Sequence, residues 1–203
     1  ITLTYPETKI KALDGINLKI ESGQSLGIIG KVGSGKSSLL NIINRLYDPN
    51  TGKVLLDGYD IRKFKLEKLR SYIGNIPQNA FLFSESIQDN IRLGKVDATD
   101  LEIQQASRTA AIHKSIIKFK HGYQTLLGER GLTLSGGQIQ RISIARAIIK
   151  DPQILLFDDC LSAVDSDTEE IILKNLKNYS QNKTTIIVSH RISSVKDADH
   201  IVV

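Results

Sequence analysis

The chain alternates short apolar runs with amphipathic stretches, and this alternation predicts an α/β domain with a mainly parallel sheet. Residues 25–29, 153–157 and 184–188 are short and largely apolar, which is the pattern of buried strands. Apolar positions at helical spacing predict helices over 36–46 and 168–179. These strands and helices form the predicted α/β core.

An antiparallel element interrupts this pattern near residue 57. Residues 53–56 and 59–61 flank Asp57-Gly58, a pair that is typical of a tight hairpin turn. We expect the opening segment, residues 1–20, to add strands to the same small antiparallel sheet.

The middle third, residues 80–150, is predicted to be helical, with apolar positions at helical spacing over 103–117. A further helix starts near Gly137 and ends at Asp151-Pro152, because proline cannot continue a helix. We therefore expect a single domain over 1–203. Its α/β core with the β subdomain covers 1–79 and 151–203, and its helical subdomain covers 80–150.

A glycine-rich segment joins the first core strand to the first helix. It matches the phosphate-loop pattern G-x-x-x-x-G-K-[ST] between a strand and a helix, as that pattern requires. Its residues, with the serine that follows, are Gly30, Lys31, Val32, Gly33, Ser34, Gly35, Lys36, Ser37 and Ser38. Backbone N–H groups of such a loop surround phosphates, and we expect Lys36 to reach the β- and γ-phosphates. The alternative is a glycine-rich turn with an incidental lysine.

An aspartate, Asp158, ends the apolar run 154–157. A carboxylate at the carboxyl end of a parallel strand can hold Mg²⁺ beside a bound nucleotide. We therefore expect Asp158 and the Ser37 hydroxyl to be Mg²⁺ ligands. The aspartate pattern is weak alone and becomes specific only together with the phosphate loop.

A second short motif, Leu134-Ser135-Gly136-Gly137-Gln138, opens a later helix. Ser135 and the N–H groups that follow it form a second anion site at a helix N-terminus. With this string, the chain resembles the ATP-binding-cassette (ABC) family along essentially its whole length. The resemblance implies the ABC ATPase fold, which is a P-loop NTPase core with a mainly parallel sheet, an antiparallel β subdomain and a helical subdomain. It also implies ATP and Mg²⁺ as ligands.

Three isolated residues match the family one by one. Tyr5 resembles the aromatic that stacks on adenine, the alternative being a core or edge-strand tyrosine. Gln78 resembles the glutamine that senses Mg²⁺ and the attacking water, which adds it to the expected ligands; the alternative is a polar surface-loop residue. His190 resembles the switch histidine near the γ-phosphate, the alternative being a structural histidine.

Asp159 departs from the family pattern. The family usually carries a glutamate here, which acts as the general base on water. Aspartate is one methylene shorter and loses about 1.5 Å of reach, whereas a base must lie within about 2.6–3.2 Å of the atom whose proton it takes. We expect a site that binds ATP and hydrolyses it poorly.

The intact Leu134–Gln138 motif indicates how this chain pairs with a second ABC domain. The resemblance implies a head-to-tail dimer, in which this motif closes over the γ-phosphate held by a second ABC domain and residues 162–165 cross to the partner's site. A weak base with a sound motif favours a heterodimer with one degenerate site. The arrangement resembles that of bacterial heterodimeric multidrug exporters; the alternative is a slow homodimer.

Three further segments resemble exporters. Gly128-Glu129-Arg130-Gly131 resembles the loop that contacts the membrane domains of exporters, the alternative being a charged surface turn. The segments 81–83 and 89–91 are also exporter-like. We therefore expect a transmembrane domain, before Ile1 or on a partner chain, and a location at the cytoplasmic face of the cell membrane.

Composition narrows the class of protein but does not decide its function. The 203 residues are 40% hydrophobic and 24% charged, which fits one globular domain, and no apolar run approaches the length of a membrane helix. The net charge of +5 suits an anionic partner or simply a solvated, lysine-rich surface. A single cysteine, Cys160, excludes an intrachain disulfide. Because the chain starts at Ile1 and lacks Met, we expect an excised domain.

Two other functions remain as alternatives. The first is an ATP-gated regulatory binding module that hydrolyses little itself, while its partner turns over. The second is a soluble ABC ATPase that acts on DNA or the ribosome. The stretch from Ser37 to Leu134 has no sustained heptad pattern and is too short for a long coiled coil. We therefore expect no nucleic-acid partner.

Overall fold

A five-stranded sheet contains the buried strands that the sequence predicted. The structure, a computed structural model, describes residues 1–128 and 134–203. Its strands are Leu3–Thr4 (β1), Lys11–Leu13 (β2), Ser25–Ile28 (β3), Leu55–Leu56 (β4), Tyr59–Asp60 (β5), Ile73–Ile76 (β6), Ile154–Asp158 (β7), Thr184–Val188 (β8) and His200–Val202 (β9). Its α-helices are Lys36–Ile43 (α1), Leu66–Ser71 (α2), Ile87–Arg92 (α3), Asp100–Thr109 (α4), His113–Ile116 (α5), Gly136–Ile148 (α6) and Ser166–Tyr179 (α7).

The chain folds into two compact units. The first contains Ile1–Asn75, Gln153–Asp158 and Asn182–Val203, and the second contains Ile76–Pro152 and Asp159–Gln181. Strands β3, β7, β8 and β9 therefore belong to the first unit, and helices α3 to α7 belong to the second.

The large sheet has the strand order β6-β7-β8-β3-β9, with parallel pairing from β7 through β8 and β3 to β9. Its core is apolar and buried: Leu26, Ile28, Leu40, Ile61, Leu69, Ile73, Leu156, Ile186 and Val188. Each such side chain contributes about 1.5–3 kcal/mol when it leaves water. The register aligns Asp158 with Val188 and Val188 with Ile28. The carboxyl ends of β7, β8 and β3 therefore meet at one edge of the sheet.

Helix α1 begins as predicted and ends earlier than predicted. The predicted helix reached residue 46, whereas α1 ends at Ile43. Arg45 has a φ of 50°, which a right-handed helix cannot continue. The Arg70 guanidinium donates to the carbonyl oxygens of Asn44 (3.3 Å) and Arg45 (3.1 Å), so these terminal carbonyls are satisfied by a side chain.

The small antiparallel elements form two separate sheets, β1-β2 and β4-β5. The predicted hairpin at Asp57-Gly58 is present, with positive φ at both turn residues, as a primed turn requires. The expectation that residues 1–20 extend this hairpin is wrong. The opening segment pairs with itself as β1 and β2, and an isolated bridge joins Thr2 to Thr51, which lies outside β4 and β5.

Helices α3 to α7 build the second unit. The predicted helical run 103–117 is two helices, α4 and α5, because Ala111 adopts a φ of 54° between them. Thr99 and Glu102 form a capping box that starts α4. Within residues 1–128 and 134–203, none of the helices combines the length and apolar character that a membrane crossing requires.

Candidate functional site

The phosphate loop lies between β3 and α1, at the edge where the parallel strands end. Gly33 and Gly35 have φ values of 84° and 90°, which turn the backbone around the helix start. A Cβ on Gly35 would run into the carbonyl oxygen of Ala12, so only glycine fits there. The Lys36 ammonium donates to the carbonyl oxygens of Gly30 (2.7 Å) and Lys31 (2.8 Å). The loop therefore places one cation beside the N–H groups of the first turn of α1, where anions bind.

A hydroxyl and a carboxylate meet at the start of α1. Ser37 Oγ donates to Asp158 Oδ1 at 3.0 Å, although the two residues are far apart in sequence. Both are hard oxygen ligands, which suits Mg²⁺, a cation that usually takes few protein ligands and completes its shell with phosphate oxygens and water. Among residues 1–128 and 134–203, there is no cluster of three or more His, Cys, Asp or Glu side chains that could hold a metal alone. The donor set therefore fits a nucleotide-associated Mg²⁺.

Tyr5 lies in the first unit, next to α1. Its hydroxyl is 2.9 Å from the hydroxyl of Ser38, in the first turn of the helix, and the two groups share a hydrogen bond. Its ring meets the ring of Tyr47 edge to face, with centroids 5.1 Å apart. Two neighbours thus fix the orientation of this ring. Ser38 was expected to bind nucleotide, whereas Tyr47 has no sequence signal that links it to Tyr5.

His190 follows β8 and is exposed. The pairing of β8 with β3 continues through the Ser189 N–H, which donates to the carbonyl oxygen of Ile28 at 3.2 Å. The Arg191 N–H donates to the Ser189 hydroxyl at 3.0 Å, so the backbone turns directly after the strand. His190 therefore leaves the same edge of the sheet from which the phosphate loop starts.

The second unit brings Gln78 and Asp159 together. Gln78 Nε2 donates to Asp159 Oδ2 at 3.4 Å, at the long end of the hydrogen-bond range. Asp159 follows β7 with a φ of 44°, in the left-handed region. Aspartate and asparagine adopt this region more readily than longer side chains do. The shortened side chain is therefore compatible with the backbone at this position.

The Leu134–Gln138 motif caps α6. Ser135 Oγ accepts from the Gln138 N–H at 3.3 Å, and Gln138 Oε1 accepts from the Ser135 N–H at 2.9 Å. This reciprocal capping box fixes the first turn of the helix. Ser135 and Gly136 are exposed, so this helix N-terminus faces solvent.

The loop 162–165 lies directly against this motif. A Cβ on Gly137 would lie 2.9 Å from the carbonyl oxygen of Ala163, which is closer than real Cβ atoms approach. Asp165 caps α7 by accepting from the Thr168 N–H at 2.9 Å, and this backbone hydrogen bond lowers the pKa of Asp165. Both ends of the loop are thus anchored in the second unit.

Comparison with known proteins identifies the family of the chain. A sequence profile described as "ABC transporter" matches residues 13–162, which is more than half of the chain. The chain belongs to the ABC transporter family. The family resemblance and the P-loop NTPase fold predicted from the sequence are therefore confirmed.

The ABC relatives include proteins named for multidrug resistance. The chain is 44% identical to the probable multidrug resistance ABC transporter ATP-binding/permease protein YheI of Bacillus subtilis, over 100% of this chain and 35% of the relative. It is 45% identical to the multidrug resistance-like ATP-binding protein MdlA of Escherichia coli, over 98% of this chain and 34% of the relative. This ABC chain thus spans about a third of the length of these curated relatives.

A solved structure shows the same fold. The structure of a bacterial Atm1-family ABC exporter with ATP bound superimposes with a TM-score of 0.95 and 38% sequence identity, over 98% of this chain and 35% of that chain. An ABC exporter therefore contains a region with the same fold as this chain.

One hydrogen-bond network in the ABC chain could not be predicted from the sequence motifs. The Arg146 guanidinium donates to the carbonyl oxygens of Asn90 and Phe81 and to Asn90 Oδ1, at 2.8–2.9 Å. Asn90 is fully buried and donates to the carbonyl oxygens of Phe83 and Ser86, both at 3.0 Å. Burial lowers the pKa of Arg146. This network therefore joins residues 81–83 to residues 89–91, the two separate segments whose sequences resemble exporters.

Some predicted features are still predictions. In the exporter-like loop, Gly128 is described by the structure, whereas Glu129, Arg130 and Gly131 lie outside the described residues. The roles of the individual site residues toward nucleotide, Mg²⁺ and partner likewise stay predictions.

Proposed function

We propose that this chain is the ATP-binding domain of an ABC exporter, which couples ATP binding and hydrolysis to transport by membrane domains. The observation that carries this proposal is the group at the start of α1. There the Lys36 ammonium lies in the glycine-rich loop, and the Ser37 hydroxyl is hydrogen-bonded to Asp158. The likeness to a multidrug resistance ABC transporter protein and to an ABC exporter of solved structure supports the same assignment.

In this proposal residues of the first unit bind the phosphates and the adenine, and Gln78 of the second unit is a further Mg²⁺ ligand. The backbone N–H groups of residues 30–38 and the Lys36 ammonium bind the phosphates, and the Tyr5 ring stacks on the adenine. Ser37 and Asp158, with Gln78, hold Mg²⁺, which neutralises phosphate charge when bound. His190 contacts the γ-phosphate.

The second unit contains the motif that we propose acts on a partner domain. In this proposal Ser135, Gly136, Gly137 and Gln138 close over the nucleotide of a second ABC domain, in a head-to-tail dimer. A transmembrane domain is the other partner, which places the chain at the cytoplasmic face of the cell membrane. The whole chain, 1–203, forms one domain, with an α/β core over 1–79 and 151–203 and a helical subdomain over 80–150.

We further propose that the site formed by this chain's own phosphate loop hydrolyses ATP slowly. Asp159 stands where the family usually has glutamate, and a missing methylene removes about 1.5 Å of reach. A misplacement of about 1 Å can cost on the order of 10²-fold in rate. Together with an intact α6 motif, this favours a heterodimer in which the partner holds the active site.

A second function is favoured by the same residue. Since Asp159 is a short base, the chain can act as an ATP-gated binding module whose nucleotide stays bound while the partner turns over. The two functions differ in where phosphate is released. Selective labelling of the nucleotide bound at this chain's loop, followed by a chase with unlabelled ATP, separates slow hydrolysis from retention of intact ATP.

The proposed ATP site is tested by replacing Lys36 with methionine. Lys36→Met should weaken ATP binding at least about tenfold, because it removes a charged hydrogen-bond donor from the phosphates. Binding is measured by isothermal titration calorimetry on the purified protein. Lys53→Met is the matched control, since it removes the same charge at an exposed position. If the original protein does not bind ATP, or if Lys36→Met binds it equally well, the proposal is wrong.

A further inference from the structure

A buried glutamine ties the loop 162–165 to helix α6. Gln140 is only 6% exposed, in the second turn of α6. Its Oε1 accepts from the Ala163 N–H at 3.1 Å, and its Nε2 donates to Ser162 Oγ at 3.4 Å. One amide group therefore bonds two successive residues of the loop, using both its acceptor and its donor.

The contact continues along the backbone. Gly137 lies against the Ala163 carbonyl, and a Cβ on Gly136 would be 3.3 Å from Ala163 Cβ. The side chains of Leu161 and Val164 are buried on either side of the exposed Ser162 and Ala163. The loop tip is therefore exposed to solvent, yet it is fixed to the first turns of α6.

We propose that Gln140 is a positioning residue, which holds the loop 162–165 and the motif 134–138 as one rigid surface. This inference rests on the proposed function, because that surface acts on the nucleotide of a second ABC domain. Gln140 does not contact nucleotide in this scheme. It acts through Ser162 and Ala163, which it keeps in register with Ser135 and Gly136.

The amide of Gln140 is well suited to this role. Leucine has a similar volume and can make neither hydrogen bond, so Gln140→Leu leaves the Ala163 N–H without its partner. Glutamate retains an acceptor for the Ala163 N–H, and the Ser162 hydroxyl can rotate to donate to it. Gln140→Glu should therefore preserve most of the link.

The link is tested by amide hydrogen exchange at residues 161–165 in the purified protein. Gln140→Leu should speed exchange of the Ala163 amide about tenfold, the effect of losing one hydrogen bond. Gln140→Glu should stay within about threefold of the original protein on the same basis. Ser107→Ala is the matched control. It removes a different buried hydrogen-bonding group of the second unit, a hydroxyl that donates to the Ile103 carbonyl oxygen at 2.7 Å, and should leave this loop unchanged.

The functional consequence is measured as kcat and KM for ATP in the presence of the partner domain. Gln140→Leu should lower kcat about tenfold with KM unchanged, because the phosphate loop is not altered. Gln140→Glu should restore most of kcat, and Ser107→Ala should retain it. A purely structural role would instead lower kcat in proportion to the melting temperature for both Gln140→Leu and Ser107→Ala.

Two results overturn the inference. The first is unchanged exchange of the Ala163 amide in Gln140→Leu. The second is a loss of kcat in Ser107→Ala equal to that in Gln140→Leu. If the original protein fails to bind ATP, the proposed function fails by itself, and the exchange measurement alone still decides whether Gln140 holds the loop.

Discussion

Replacing Asp159 by glutamate restores the methylene that this chain lacks at the proposed position of the general base. The added bond extends the carboxylate by about 1.5 Å. Since a misplacement of about 1 Å costs on the order of 10²-fold, full correction would raise kcat by about that factor. The gain is bounded by the backbone, because Asp159 has a φ of 44°.

The backbone lowers this expected gain. A longer side chain in the left-handed region costs roughly 1 kcal/mol more than aspartate, which corresponds to about fivefold if it displaces the carboxylate. We therefore expect Asp159→Glu to raise the hydrolysis rate at the site that contains Asp159 about tenfold or more. The same strain should lower the melting temperature by about 2–4 °C in a chain of this size.

The assay is steady-state phosphate release at saturating ATP and Mg²⁺, together with the partner domain. Hydrolysis at the partner's site is common to both proteins, so the difference in rate reports the site that contains Asp159. Asp159→Asn is the control, because it keeps the shape and can still accept from Gln78 Nε2 but removes the base. The reasoning is refuted if Asp159→Glu binds ATP normally, is folded, and has the same kcat as the original protein.

Two further predictions concern the second unit. Arg146→Met should lower the free energy of unfolding by about 3 kcal/mol, because the carbonyl oxygen of buried Asn90 loses the Arg146 donor and Asn90 Oδ1 keeps only the Phe83 N–H. The matched control Arg92→Met removes only surface ion pairs and should cost under about 1 kcal/mol; equal losses in urea unfolding would contradict this. The pKa of Glu102 is lowered from 4.5 to about 2, mainly by its hydrogen bond with Lys95. A lowered pKa stabilises the fold above the ordinary value, so the difference in melting temperature between the original protein and Glu102→Gln should be present above pH 4.5 and vanish as the pH falls to about 2. A difference that persists below that pH would show that the carboxylate is not the cause.

The sequence predicted the local parts of the site because their chemistry lies in consecutive residues. The glycines of the phosphate loop supply the positive φ values that the turn needs, and Lys36 follows them directly. The capping box of Ser135 and Gln138 likewise spans one helical turn. Errors arose where local spacing was ambiguous. Apolar spacing runs through Ala111, although its positive φ separates α4 from α5.

Pairs of distant residues had to await the tertiary structure. Spacing along the sequence does not predict that Gln78 contacts Asp159. Nor does it predict that Arg146 donates to the carbonyl oxygens of Phe81 and Asn90. The same holds for Gln140, whose buried amide reads as an ordinary helix residue in the sequence. Its partners in the loop 162–165 become visible only once α6 and α7 are placed in one unit.

By itself, the sequence determined where the phosphate-loop pattern lies and which strands are buried, since both depend on neighbours along the chain. The tertiary structure decided which of those groups meet. Ser37 reaches Asp158 because β7, β8 and β3 pair in parallel and in register, so that their carboxyl ends share one edge. Sheet order depends on contacts between distant strands, and hydrophobic periodicity within one segment carries no information about it.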